Sequence, residues 1–242
     1  MSGPNYWAIV PAAGTGQRFG SQLAKQFQTI GDKMVADHSL GRLLTIPAIK
    51  KILVPCDTSH SHWIQVQSSG DQRVELIDGG AERVHSVLCG LRSLADSAKS
   101  DDWVLVHDMA RPCITSADIH KLMEQLKNHP VGGILATPVS DTLKKIQSTD
   151  MGQVAAIQET LDRRDCFAAQ TPQMFRYGLL VRALETMLQE QQLPTDEASA
   201  IEYIGEQAMI VEGRSDNIKI THPQDLVIAQ AIMGYQETEQ CE

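Results

Sequence analysis

An apolar run that ends in a small, glycine-containing loop is the feature that most constrains how this chain folds. The run from Tyr6 to Val10 predicts a first buried strand, and Pro11-Ala12-Ala13-Gly14-Thr15-Gly16 follows it directly. Small residues allow the backbone to approach a ligand closely, and glycine permits the positive φ of a tight turn. Backbone N–H groups in such a turn form a concavity for anions, to which Arg18 and Lys25 add positive charge. The segment therefore indicates a triphosphate-binding loop at the carboxyl end of a strand, where open α/β sheets bind their ligands.

The loop by itself leaves a second interpretation open. It lacks the Gly-Lys-Ser/Thr ending of a P-loop, and Gly20 comes one residue too late for a dinucleotide-binding glycine pattern. A plain strand-to-helix turn with solvated basic residues accounts for it equally well. The decision depends on the rest of the chain.

The composition limits the class of protein. With 242 residues, 42% of them hydrophobic and 21% charged, the chain is expected to form one globular domain. The net charge of −9 argues against a general nucleic-acid-binding surface. The five cysteines are scattered without a C-x-x-C pair, which is typical of reduced thiols in a cytoplasmic protein. No cleavable leader is evident and no apolar run approaches the ~18 residues of a membrane span, so no membrane partner is expected.

Apolar runs alternate with helical patterns along the chain. This alternation predicts an α/β fold, with a mostly parallel sheet covered by helices on both faces. The predicted strands are Trp7–Val10, Lys51–Val54, Val74–Ile77, Trp103–Val106, Gly133–Ala136 and Met209–Val211. The predicted helices are Val35–Leu44, His62–Gln67, Arg83–Leu94, Ala117–Leu126, Gly178–Gln189, Asp196–Ile204 and Pro223–Met233.

The alternation breaks down between Pro138 and Gln173. Short polar β-like pieces, Thr142–Ile146 and Gln153–Gln158, replace the strand–helix pattern there. An excursion of this length in a compact domain is usually functional, and a lone hairpin needs a partner surface to be stable. We therefore expect residues 138–173 to form a projecting β-arm that pairs two copies of the chain as a homodimer.

Two segments at predicted strand ends carry candidate chemistry. Asp78-Gly79-Gly80, with Ser86 six residues after Gly80, suits close approach to a base or ribose, although simple helix capping explains it as well. Asp108 follows the strand Trp103–Val106 and is either a Mg²⁺ ligand or a turn residue paired with Arg111.

Three further positions are ambiguous from their own surroundings. Arg163 lies in a run of alternating charges that is typical of a solvated surface. Thr195 has the place of a helix N-cap, and Thr171 lies in the polar segment that closes the predicted arm. Lys219 stands between Ile218 and Ile220, so strand alternation directs it either to a cleft or to solvent.

Taken together and in order, these segments resemble the 2-C-methyl-D-erythritol 4-phosphate cytidylyltransferases of the non-mevalonate isoprenoid pathway. The similarity extends from Val10-Pro11-Ala12-Ala13-Gly14 to Asp216-Asn217-Ile218-Lys219-Ile220-Thr221. It implies a Rossmann-like α/β fold in which residues 1–242 form one nucleotidyltransferase domain, with a β-arm that interlocks two subunits. It also implies transfer of CMP from CTP to methylerythritol phosphate, with Mg²⁺ as cofactor and pyrophosphate as the second product.

The resemblance also assigns roles to residues. It implies that Arg18, Lys25, Arg163 and Lys219 are catalytic, with Arg18 and Lys25 on the triphosphate. It implies nucleotide contacts from Pro11, Ala12, Ala13, Gly14, Gly16, Gly80, Ser86 and Asp108, with Asp108 near a metal held mainly by the triphosphate. It implies acceptor contacts from Thr142, Arg163, Thr171, Thr195 and Lys219, the first two reaching across from the partner's arm.

The chain departs from the usual family pattern at Ala24, Ala81 and Met109, which bears on nucleotide fit rather than on the reaction. Two alternatives stay open at this point. One is a ribitol-5-phosphate cytidylyltransferase, which would share fold, nucleotide and chemistry. The other is a catalytically silent nucleotide-binding homologue, although a pure binder would not need charges directed at the transferring phosphate.

Overall fold

A central seven-stranded sheet organises the chain in a computed structural model that describes residues 3–14, 23–147 and 154–239. The strands are β1 (Tyr6–Ile9), β2 (Thr29–Ile30), β3 (Lys33–Met34), β4 (Ile49–Cys56), β5 (Val74–Asp78), β6 (Trp103–Val106), β7 (Gly132–Pro138), β8 (Lys144–Ile146), β9 (Ile157–Thr160), β10 (Phe167–Arg176) and β11 (Met209–Glu212). The helices are α1 (Val35–Leu44), α2 (Arg83–Ser93), α3 (Ser116–Leu126), α4 (Tyr177–Gln189), α5 (Glu197–Tyr203) and α6 (Gln224–Glu239).

The order of the central sheet is β11-β7-β10-β6-β1-β4-β5. Neighbouring strands pair in parallel except β10, which is antiparallel to both β6 and β7. The predicted α/β class with a mostly parallel sheet is confirmed. The carboxyl ends of β1, β4, β5 and β6 consequently lie along one edge, where loops from distant parts of the sequence meet.

The continuous apolar runs follow from burial on both faces of the sheet. In β6, Trp103 and Leu105 belong to the core packed beneath α1 and α3, whereas Val104 and Val106 belong to the core beneath α2, α4 and α5. All four side chains are buried. A strand covered on both sides has no polar face, so its sequence shows no alternation.

The predicted arm is only partly separate from the sheet. β8 and β9 form their own antiparallel pair, with Lys144 opposite Thr160 and every residue exposed. By contrast, Phe167 to Gln173, which the sequence pattern assigned to the arm, lies in β10 of the central sheet. The sequence of β10 is polar and contains proline, so it shows no local strand pattern. Its strand conformation comes from pairing with β6 and β7, which are distant in sequence. The predicted segment Gln153–Gln158 begins at a residue outside the described ranges.

One predicted helix is absent and one helix is longer than expected. His62–Gln67 overlaps two short 3₁₀ turns, Ser61–Gln65 and Gln67–Gly70. Trp63 in the first turn and Val66 between the two turns are buried, three residues apart. That spacing fits a three-residue turn. The last helix runs on to Glu239 beyond the predicted end at Met233. Within the described ranges, the helices are each too short or too polar to cross a bilayer.

Candidate active site

A cavity of about 690 Å³ opens where the loops after β1, β5 and β6 meet. Its described lining comprises Pro11, Ala12, Ala13, Gly14, Lys25, Gln26, Gly80, Ala81, Glu82, Arg83, Ser86, Asp108, Met109, Ala110, Lys219 and Thr221. Most of the predicted nucleotide-binding residues are therefore brought together, along with both of the predicted catalytic lysines. Gly16 and Arg18 lie outside the described residues.

Two small-residue loops approach each other closely along one wall of the cavity. The Ala12 N–H donates to the Pro55 carbonyl at 2.8 Å, and the Gly79 N–H donates to the Cys56 carbonyl at 2.8 Å. A Cβ on Gly79 would lie 2.6 Å from the Ala13 Cβ, and a Cβ on Gly80 would lie 2.3 Å from the His85 Cβ. Glycine is therefore required at both positions by close approach.

Ser86 fixes the second of these loops. Its hydroxyl is buried, accepts a hydrogen bond from the Gly80 N–H at 3.1 Å and lies 3.3 Å from the Gly80 carbonyl. The loop after β5 is thus anchored to the first turn of α2. The backbone of Gly80 and Ala81 is held facing the cavity.

Asp108 carries the buried negative charge of the cavity. One carboxylate oxygen accepts from Arg83 Nε at 3.0 Å, and the other accepts from Lys219 Nζ at 2.6 Å. Burial alone would raise the pKa of Asp108, but the charges of Arg83 and Lys219 outweigh it and hold that pKa below its usual range. Asp108 is therefore an ionised acceptor at neutral pH.

Lys219 reaches the cavity because its segment is tied to the loop after β6. The Ile220 N–H donates to the Ala110 carbonyl at 2.8 Å, and Arg111 Nη1 donates to the Asn217 carbonyl at 2.7 Å. The sequence pattern left Lys219 facing either a cleft or solvent. The structure selects the cleft, with the side chain still 42% exposed at its rim.

Lys25 enters the same cavity from another part of the chain. Its Nζ donates to the Ile220 carbonyl at 3.2 Å, next to Lys219 in sequence. The neighbouring Gln26 is buried and donates through Nε2 to the Ala12 carbonyl at 3.1 Å, which attaches this turn to the loop after β1. Two lysines far apart in sequence therefore line one space.

Arg83 and Glu197 form part of the site that the sequence reasoning missed. Arg83 Nη1 and Nη2 donate to the two carboxylate oxygens of Glu197 at 2.7 and 3.0 Å, in addition to the bond from Nε to Asp108. Glu197 is 1% exposed. The pair joins α2 to α5, which are distant in sequence, so local patterns gave no signal beyond the presence of a charged residue at each helix start.

Thr171 is buried next to Asp108 and does not belong to the described lining of the cavity. Its hydroxyl accepts from the Asp108 N–H at 2.9 Å and contacts His107 Nδ1 at 3.1 Å. His107 Nε2 lies 3.2 Å from the Arg111 carbonyl, which only accepts, so hydrogen-bonding assigns the proton to Nε2 and the acceptor role to Nδ1. The Thr171 proton is consequently directed at His107, and the residue positions the Asp108 backbone.

His107 is the second buried titratable group at this position. It is 0% exposed, and burial lowers the pKa of its imidazole to about 4. A neutral ring at physiological pH is what the hydrogen bond from Thr171 requires.

The remaining predicted acceptor residues do not belong to the described lining of this chain's own cavity. Thr142 and Arg163 are exposed, on the segments that flank the β8–β9 hairpin. Thr195 is also exposed, and the prediction that it caps α5 is wrong. Asp196 is the N-cap, because its side chain accepts from the Ser199 N–H in a capping box.

The described residues contain no group of three or more histidine, cysteine or acidic side chains arranged to hold a metal ion. Asp108 and Glu82 are the carboxylates in the described lining of the cavity. A cation here would therefore need further ligands from a bound anion.

Comparison with known proteins identifies the family. The family model for 2-C-methyl-D-erythritol 4-phosphate cytidylyltransferase (IspD) matches residues 6–235. A protein of that name from Pseudomonas fluorescens (strain Pf0-1) is 44% identical over 224 residues, covering 92% of this chain and 93% of the relative. One from Hahella chejuensis is also 44% identical, covering 94% of this chain and 92% of its own length.

Solved structures agree with this result. A crystal structure of a 4-diphosphocytidyl-2C-methyl-D-erythritol synthase superposes with a TM-score of 0.80 at 36% identity, covering 96% of this chain and all of the other. The 2-C-methyl-D-erythritol 4-phosphate cytidylyltransferase of Francisella tularensis gives a TM-score of 0.79 at 34% identity, with 94% and 99% of the two chains covered. The chain belongs to the 2-C-methyl-D-erythritol 4-phosphate cytidylyltransferase family.

Proposed function

We propose that this chain transfers CMP from CTP to 2-C-methyl-D-erythritol 4-phosphate, releasing pyrophosphate and forming CDP-methylerythritol for isoprenoid synthesis. The observation that carries the proposal is the convergence of Lys25, Asp108 and Lys219 on one cavity beside two glycine-containing loops. A passive nucleotide-binding protein does not need two lysines and an ionised carboxylate in the same space.

The reaction is a displacement at the α-phosphorus of CTP. A phosphate oxygen of methylerythritol phosphate forms the new P–O bond as the bond to pyrophosphate breaks, so no covalent intermediate with the protein is needed. Such a transfer depends on positioning and on electrostatic stabilisation of charge. Lys25, together with Arg18, is proposed to stabilise the triphosphate as charge builds. Lys219 is proposed to orient the attacking phosphate.

The nucleotide is proposed to lie along the wall formed by Pro11, Ala12, Ala13 and Gly14 on one side and Gly80 on the other. Backbone N–H and carbonyl groups at such a wall are suited to the amino and carbonyl groups of cytosine. Ser86 supports this wall from behind through its bonds to Gly80.

Mg²⁺ is the cofactor we propose, bound mainly through the triphosphate. The cavity fits that role because Mg²⁺ typically takes one or two carboxylates together with substrate phosphates, and Asp108 is ionised at the cavity wall. When bound, the ion neutralises phosphate charge. Asp108 holds Lys219 and Arg83 whether or not it also contacts the ion.

A coupled assay of pyrophosphate release tests the function. With CTP and Mg²⁺ present, methylerythritol phosphate should support turnover, whereas ribitol 5-phosphate and a blank without acceptor should not. Faster turnover with ribitol 5-phosphate than with methylerythritol phosphate would identify ribitol 5-phosphate as the acceptor. No pyrophosphate release with either acceptor would refute the transferase activity.

We further propose that the active unit is a homodimer with shared sites. Thr142 and Arg163 are exposed and lie outside the described lining of this chain's own cavity, and the β8–β9 hairpin is exposed along its length. A two-stranded hairpin is marginally stable by itself, so a second copy is its expected support. Thr142 and Arg163 would then reach the acceptor bound by the partner.

Mixed dimers test this arrangement. Co-expression of a Lys25→Ala chain with an Arg163→Ala chain produces heterodimers in which one site keeps both residues, so activity should return. Verified heterodimers without activity would refute sharing, as would a fully active monomer in sedimentation at the assay concentration.

The cysteines support a reducing compartment. Cys56, Cys89, Cys113 and Cys166 are all free thiols in the structure. We propose that the enzyme works in the cytoplasm, where thiols stay reduced. Fractionation of the source cells tests this proposal, since recovery with a cytoplasmic marker enzyme supports it and recovery with membranes opposes it.

A further inference from the structure

Four charged side chains of alternating sign form a continuous line from the protein interior to the cavity. Glu197 binds Arg83, Arg83 binds Asp108, and Asp108 binds Lys219. Its two ends differ in exposure, since the side chain of Glu197 is 1% exposed and that of Lys219 is 42% exposed. We call this set the charge line.

The buried end of the charge line is fixed by the backbone around it. The Ala198 N–H donates to Gln173 Oε1 at 2.9 Å, and Gln173 Nε2 donates to Asp196 Oδ2 at 2.9 Å. The Gln173 side chain, on β10, thus binds the residues on either side of Glu197, namely Asp196 and Ala198. Its carboxylate has a defined position, and its fork-like contact with Arg83 fixes the plane of the guanidinium.

Glu197 cannot itself contact a substrate, because it is buried and belongs outside the described cavity lining. Without its charge, Arg83 would have Asp108 as its remaining ion-pair partner in the described chain, and would compete with Lys219 for that carboxylate. The position of the Lys219 ammonium therefore depends on the Glu197 carboxylate, to which it is linked through three successive ion pairs.

We propose that Glu197 is a positioning residue for the transfer reaction, acting through Arg83 and Asp108 to place Lys219. The inference rests on the proposed function for its kinetic consequence. Its geometric part, that Arg83 and Glu197 determine the environment of Asp108, is independent of turnover.

A paired substitution separates positioning from simple stabilisation. In Arg83→Met/Glu197→Met both charges are removed, and replacing a buried ion pair by apolar side chains of similar size is often neutral for stability. The control is Arg92→Met/Glu185→Met, which removes an exposed ion pair of 3.1 Å between the same helix, α2, and α4. Glu197→Gln, which keeps the shape of the side chain, is the second test variant.

The expected kinetics distinguish a positioning role of Glu197 from a purely stabilising one. The double variant and Glu197→Gln should both lose on the order of tenfold to a hundredfold in kcat, with KM for CTP and thermal melting close to wild type, as expected for a displaced reacting group. The control should keep the wild-type kcat. Wild-type kcat in Glu197→Gln or in a folded double variant would overturn the proposal.

Carboxyl ¹³C NMR of aspartate-labelled protein supplies a readout without substrate, with the Asp108 signal assigned by its loss in Asp108→Asn. In the double variant the Asp108 carboxyl resonance at pH 7 should move, because the Arg83 guanidinium no longer donates to that carboxylate, and in the control it should keep the wild-type position. An unmoved resonance in the folded double variant would overturn the proposed link. An absence of pyrophosphate release by the wild type would instead refute the proposed function and leave this NMR comparison informative.

Discussion

His107 is expected to make the protein less stable as the pH falls from neutral towards 5. Its imidazole is buried, neutral and held between Thr171 and the Arg111 carbonyl. The pKa is about 4 in the folded protein and 6.5 for the unperturbed side chain. Between these two pH values the unfolded chain therefore binds a proton at His107 that the folded chain does not bind. Stability therefore rises with pH in this window and is lost as the pH falls from 6.5 to 4.

The magnitude follows from the two pKa values. The full difference corresponds to about 3 kcal/mol of unfolding free energy, of which about 2 kcal/mol is lost between pH 7 and pH 5. Asp108 acts in a different window, because its lowered pKa stabilises the fold above the ordinary value of 3.8 and its contribution disappears only below that. The two effects are consequently separable by pH.

Urea unfolding followed by circular dichroism at pH 7, 6 and 5 measures this contribution, at one protein concentration because association changes apparent stability. His107→Asn should be less stable at pH 7 but should show a smaller loss between pH 7 and pH 5 than the wild type. His120→Asn, which removes an exposed imidazole from α3, serves as the matched control and should keep the wild-type pH dependence. An equal pH dependence in wild type and His107→Asn would refute the reasoning.

Four further substitutions address the proposed site. Lys25→Met should lower kcat by on the order of a hundredfold or more with a smaller change in KM for CTP; a changed KM with normal kcat would limit Lys25 to ground-state binding. Arg163→Lys keeps the charge but loses the planar fork, so methylerythritol phosphate kinetics should worsen while CTP binding persists; unaltered kinetics would return Arg163 to a solvated surface. Thr171→Val should destabilise the protein by about 1–3 kcal/mol in chemical unfolding, because it leaves the Asp108 N–H without its bond; wild-type stability with a raised acceptor KM would make Thr171 a substrate contact instead. Gly80→Ala should raise KM for CTP, because the new Cβ would meet the backbone carbonyl carbon of His85 at 2.9 Å; Gly41→Ala in α1, with no atom within 4 Å, is the control and should keep the wild-type KM.

The central fold could be predicted from the sequence because its signals are local. Strands buried on both faces appear as continuous apolar runs, such as Trp103–Val106, and amphipathic helices such as α3 show their own periodicity. The prediction of an anion-binding loop after β1 rests on the same kind of signal, because its small residues, its glycines and the nearby Lys25 stand together in the sequence. Anion binding stays a prediction, and the structure describes residues 11–14 and Lys25 in the lining of one cavity.

What the sequence could not show depends on contacts between distant residues. β10 contains Thr171 and Pro172, where its pairing with β7 shifts register, and it is a strand only because β6 and β7 lie on either side. Within this irregular stretch, the Thr171 hydroxyl accepts a hydrogen bond from the Asp108 N–H, which is distant in sequence. Likewise, the sequence pattern allowed Lys219 to face either a cleft or solvent. In the structure the Ile220 N–H donates to the Ala110 carbonyl, and the Lys219 side chain contacts Asp108.

The clearest division between sequence and tertiary structure concerns Arg83 and Glu197. Each stands at a helix start, where a charged residue has an ordinary explanation as part of a solvated first turn. Their meeting depends on α2 and α5 packing against the same face of the sheet. The sheet and the kinds of charge available follow from short-range patterns, so they can be predicted from the sequence. Which charges are paired depends on burial and on partners far apart in the chain, so the pairing is visible in the folded structure alone.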